Sequence, residues 1–181
     1  MKKTICTVIG LLLASNIMAG TTNYESKGNL KSETKIKLKN FSDITNKNNP
    51  VDLYTLVKVK VEQEKYAEAA DIFIIAAAYG AYDASRVQDP SAHQAATILQ
   101  MNLAEGLSQK KLDKFQDALD TLFHNPDQVL KILNKVGKPD YYPSYMVQYG
   151  MGAFTQNKNW KNPDFDSNKT WNEILDGVNE L

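Results

Sequence analysis

From Pro50 onward, apolar residues recur at intervals of three and four, the spacing that lines one face of an α-helix. Leu53, Leu56, Val57, Lys60 and Val61 trace the face of a first helix, although the alternation Val57-Lys58-Val59-Lys60-Val61 also suits a strand. A second helix is predicted from Lys65 to about Ser85. It is apolar nearly all round from Ile72 to Ala78, as expected of a helix in the middle of a core. Ala92, Ala95, Ala96, Leu99, Leu103 and Leu107 line a third, and Leu112, Phe115, Ala118, Leu119 and Leu122 a fourth. A fifth runs from Pro126 to Lys135 and stops at Gly137, a natural C-terminal cap. Pro143 starts a sixth through Phe154, and Thr170-x-x-Glu173 reads as the capping box of the last.

Punctuation supports the same division. Asn49-Pro50, Asp89-Pro90 and Asn125-Pro126 each place a good N-cap residue directly before a first-turn proline. Long helical patterns, short loops and no hairpin signal predict an all-α fold over residues 50–181. The expected form is an irregular bundle or short solenoid of about seven helices built from α-hairpins.

The N-terminal third reads differently. Lys2 and Lys3 precede an apolar run from Ile5 to Leu13, and Met18-Ala19-Gly20 ends in small residues. Residues 1–20 therefore read as a secretory signal, with an apolar run shorter than the roughly 20 residues a membrane helix needs. Residues 21–49 are rich in Lys, Asn, Ser and Thr, and are expected to be a flexible polar leader. Within them Lys35-Ile36-Lys37-Leu38-Lys39 alternates like a strand.

Export changes the composition that matters. The only cysteine, Cys6, falls inside the signal, so thiol catalysis, disulfides and cysteine metal ligands drop out of the mature chain. Loss of residues 1–20 leaves 19 bases against 21 acids, where the full chain is neutral. Residues 21–50 carry +3 and residues 51–181 carry −5. A nucleic-acid binder shows a basic stripe; here the helical part is acidic, and Arg86 is its sole arginine. No nucleic acid is expected as a partner.

Two stretches share one pattern, Tyr66-x-x-Ala69-x-x-x-Phe73-x-x-Ala76 and Phe115-x-x-Ala118-x-x-x-Leu122. This spacing resembles the second helix of a tetratricopeptide repeat, and more loosely a Sel1-like repeat, over about residues 51–126. Leu56 falls at the leucine position of the preceding helix, and Pro126 at the proline that follows the second copy. The copies lie 49 residues apart, and Glu64 stands at the turn position where that family carries glycine. The resemblance implies α-hairpins that present a groove to a protein or peptide.

Candidate chemistry is sparse. His93 and His124 share no metal-binding spacing, and each reads as a surface or capping histidine. Asp164-x-Asp166-x-Asn168-x-Thr170 resembles the start of a calcium loop. Lys169 replaces the turn glycine and Leu175 the closing glutamate, so these residues are read as capping the last helix. No metal or cofactor is expected, and no catalytic residue is assigned. A carboxylate-dependent hydrolase acting on envelope polysaccharide is the alternative reading, with Glu62, Glu64, Glu68 and Glu105 as formally available acids.

The strongest candidate surface is aromatic. Tyr141, Tyr142, Tyr145 and Tyr149 crowd the start of the sixth helix, followed by Met146, Met151, Phe154 and Trp160. Tyr142, Tyr145, Tyr149 and Trp160 are the expected partner-binding residues, because tyrosine and tryptophan combine large contact area with a polar handle. The methionines and Phe154 are expected to pack inside. Together these features predict an exported, periplasmic α-helical module that binds a protein, of inhibitor, immunity or assembly type.

Overall fold

The computed structural model describes residues 26–32, 38–155 and 159–179. The signal segment and Lys35 to Lys37 of the alternating stretch lie outside the described residues. Seven α-helices account for the described architecture: α1 (Pro50–Glu62), α2 (Tyr66–Arg86), α3 (Gln94–Ala104), α4 (Gln109–Phe123), α5 (Pro126–Val136), α6 (Ser144–Val147) and α7 (Ser167–Val178). Among the described residues there is no sheet, only an isolated antiparallel bridge between Val87 and Lys161. The chain is an irregular all-α bundle.

The first helix settles the local ambiguity in favour of helix. Asn49 caps it by accepting from the Val51 and Asp52 amides at 3.0 and 3.2 Å. Leu53, Leu56, Val57, Lys60 and Val61 all point inward. Lys60 is buried with them, and its ammonium is matched by the Glu68 carboxylate at 2.8 Å. Burial of a charge is tolerable only with such a partner.

α2 is the central element. Helices α1, α3, α4, α5 and α7 all pack against it, which is why its sequence lacks a polar face. The turn from α1 is tight, with Glu64 at φ +60°, a left-handed conformation that ordinarily favours glycine. Phe73 lies between Tyr54 and Phe115, edge-on to both rings with centroids 5.7 Å away. Gly80 lets α3 approach closely: a Cβ there would stand 3.1 Å from the Ala96 methyl. The Tyr79 hydroxyl donates to the Gly137 carbonyl at 2.8 Å, tying α2 to the end of α5.

Three expectations need correction. The described residues of the polar leader are docked on the bundle. Asn48 and Asn49 are buried, the Phe41 amide donates to Glu68 at 3.1 Å, and Asp140 donates to the Asn46 carbonyl at 2.7 Å. The Leu30 amide likewise reaches the Tyr145 carbonyl at 3.2 Å. Specific backbone hydrogen bonds supply what the low apolar content does not.

Second, the helix expected from Pro143 to Phe154 is two pieces, α6 and a 3-10 turn at Met151–Phe154. Gly150 sits at the break against Asp89 and Ala92, where a Cβ would come within 2.5 Å of the Asp89 Oδ2. Third, the last helix is capped by Asp166, which accepts from the Asn168 and Lys169 amides at 2.9 Å each, while Thr170 lies inside it. Aspartate outranks threonine as an N-cap, and here it stands four residues earlier.

Candidate aromatic surface

The end of α2 organises this part of the molecule. Asp83 is fully buried and carries four polar contacts. Its Oδ1 accepts from Arg86 Nε at 2.8 Å, with Nη2 at 2.7 Å. Its Oδ2 accepts from the Tyr141 and Tyr145 hydroxyls at 2.9 and 2.8 Å. Burial holds the Asp83 carboxyl above the usual carboxylate range, against the opposing pull of Arg86 and the two hydroxyls. Both hydroxyls are pushed well above the ordinary tyrosine value, by burial first and then by the Asp83 charge.

Tyr145 therefore does not belong to the surface. It is wholly buried and spends its hydroxyl on Asp83. Tyr149 is half-buried against the core. Tyr142 and Trp160 are brought together: their rings meet edge-on at 5.0 Å and 84°. Tyr142 is 46 % exposed, and Trp160 is half-buried at the edge of a shallow depression of about 280 Å³. Gln88, Asn159, Lys161 and Pro163 complete its lining, so no carboxylate contributes to it.

The expected inward residues Met151 and Phe154 are outside instead, at 69 % and 54 % exposure. The break at Gly150 is the reason, because it ends the helical register that would have turned Phe154 to the core with Met146 and Gly150. The 3-10 turn is pinned by amides: Met151 donates to the Ser91 hydroxyl at 2.9 Å and Gly152 to Asp89 at 2.6 Å. Desolvation pushes the Asp89 carboxyl up, but hydrogen bonds from Ser91 and Gly152 hold it below its ordinary value. Trp160 is tethered to the same loop, its carbonyl accepting from the Gln88 amide at 2.8 Å. The stretch of residues 88–91 thus anchors the backbone of Met151, Gly152 and Trp160, and the Trp160 ring meets Tyr142.

The remaining candidates have local partners. His93 donates from Nε2 to the Val87 carbonyl at 2.8 Å, and His124 from Nδ1 to the Asp120 carbonyl at 2.6 Å. Among the described residues no group of three His, Cys, Asp or Glu side chains is placed to hold a metal ion. Glu62, Glu64 and Glu105 are exposed, and Glu68 serves Lys60 and Phe41. No helix of the described residues is long and apolar enough to cross a membrane.

Comparison with protein-family models, with curated proteins and with solved structures gives no match for this chain.

Proposed function

We propose that this chain is an exported, periplasmic protein-binding module of inhibitor, immunity or assembly type, and that it acts by contact through the Tyr142–Trp160 surface. The observation that carries the reading is the exposure of Tyr142, Met151 and Phe154 together, with Trp160 edge-on to Tyr142. Large apolar side chains left exposed in the neighbourhood of one loop are the kind of surface that marks an interaction site. Tyr, Trp and Met are also the residue types enriched where interfaces concentrate their energy. The rim of Gln88, Asn159 and Lys161 supplies the polar border of such an interface.

The α-hairpin packing supports the same reading, since a rigid helical scaffold lets two loops hold a fixed contact geometry. Affinity capture from an envelope extract tests it. The intact chain should retain a protein that the Tyr142→Ala, Trp160→Ala double variant loses while keeping its helical circular-dichroism signal. The same captured set with both proteins removes the proposal.

A further inference from the structure

We infer that Arg86 is the positioning residue of the aromatic surface, its guanidinium fixing the chain beside Tyr142 and its carbonyl fixing the chain beside Trp160. The inference rests on the reading of those two rings as the contact pair.

Tyr142 and Trp160 come from loops 18 residues apart in sequence, and neither loop has a helix to orient its ring. Both loops converge on the last residue of α2. Arg86 Nη1 donates to the Tyr141 carbonyl at 2.7 Å, at the peptide that joins Tyr141 to Tyr142. The Arg86 carbonyl accepts from the Asn162 amide at 2.9 Å, while the Gln88 amide holds the Trp160 carbonyl at 2.8 Å. The chain from the Trp160 carbonyl to Asn162 is thereby held against residues 86–88 by two backbone bonds.

The guanidinium itself has little freedom. Asp83 holds Nε at 2.8 Å and Nη2 at 2.7 Å, which aims Nη1 at the Tyr141 carbonyl. The Tyr82 and Tyr141 rings lie 5.3 and 4.9 Å from its central carbon. A planar fork can hold a carboxylate on one side and a carbonyl on the other; an ammonium is a single point and cannot reproduce that span. The one arginine of the chain is therefore placed where only arginine does both.

The test uses Trp160 as its own reporter. The chain has two tryptophans, so a Trp171→Phe background isolates Trp160 emission. Arg86→Lys in that background should keep the helical signal while Trp160 emission shifts to longer wavelength and acrylamide quenching rises, both towards the values of Tyr142→Ala. Tyr141→Phe removes a hydroxyl bond to the same Asp83 but keeps the carbonyl contact, and should leave Trp160 emission in place. A folded Arg86→Lys protein with unshifted emission, or an equal shift in Tyr141→Phe, overturns the inference.

Should Arg86→Lys fail to fold, native-state hydrogen exchange on the unmodified chain decides. The Asn162 and Gln88 amides should be protected like the Val87 amide that ends α2, and exchange at loop rates overturns the inference. None of these readouts involves a partner. A freed Trp160 in Arg86→Lys, with partner capture insensitive to Tyr142→Ala, would retain the positioning role and discard the binding surface.

Discussion

The ring of Phe73 stands edge-on to the ring of Phe115, with centroids 5.7 Å apart and planes at 74°. Phe73 belongs to the first copy of the pattern that occurs twice along the chain and Phe115 opens the second, so the fold brings the two copies into direct contact. Ala69 and Ala76 are buried beside Phe73, and Leu122 beside Phe115, so small residues let α2 and α4 approach while the rings fill the gap. Removing either ring should open a cavity and cost about 3–5 kcal/mol. A double-mutant cycle of Phe73→Leu and Phe115→Leu, followed by urea unfolding, should give a coupling of about 0.5–1.5 kcal/mol for the ring pair. Strict additivity would mean that the two copies do not support one another.

Asp83 to Arg86 is the second relationship to test. The carboxylate has no exposure and accepts three hydrogen bonds beside its ion-pair contact with Arg86 Nη2, so its removal strands a buried guanidinium. Asp83→Ala should lower unfolding free energy by about 3–5 kcal/mol, the range for breaking a buried pair on one side only. Loss of a kilocalorie or less would indicate that Arg86 finds water instead.

Alkaline pH should unfold the protein through its tyrosines. Tyr54, Tyr79, Tyr141 and Tyr145 all have hydroxyls raised above the ordinary value, with burial the leading cause in each. Above about pH 10 the unfolded chain releases these protons while the native state keeps them, so the native state binds more protons and stability falls as pH rises. The stabilisation is complete below that pH and is lost above it. Tyrosinate absorbance from the buried group should therefore appear with the loss of helical signal. Titration of all nine tyrosines near pH 10 with the helices intact would contradict the packing described.

Local physics made the helices legible. Asn49, Asp89 and Asn125 each act within three residues of the position that signals them, and each caps as its type and the following proline imply. Leu53, Leu56, Val57, Lys60 and Val61 turn inward from α1 as helical spacing implies. Tyr54 is buried beside them without a signal in that spacing, and the alternation over residues 57–61 by itself leaves a strand open. The unreadable parts depend on partners far away. Tyr145 is interior because Asp83, 62 positions earlier, takes its hydroxyl. Met151 and Phe154 are exterior because Gly150 has to fit against Asp89 and Ala92. Half of the aromatic surface was therefore visible as Tyr142 and Trp160. Its other half required the break that only tertiary packing imposes.

The most direct measurement is the affinity of the captured partner for single-site variants of the folded chain. Tyr142→Ala and Phe154→Ala should each weaken binding by about tenfold or more, at least ~1.4 kcal/mol apiece. Met101→Ala removes a comparably exposed apolar side chain on α3, at 55 % exposure, and should leave the affinity unchanged. Unchanged affinity in both surface variants, or equal loss in Met101→Ala, would contradict the assignment of binding to the Tyr142–Trp160 surface.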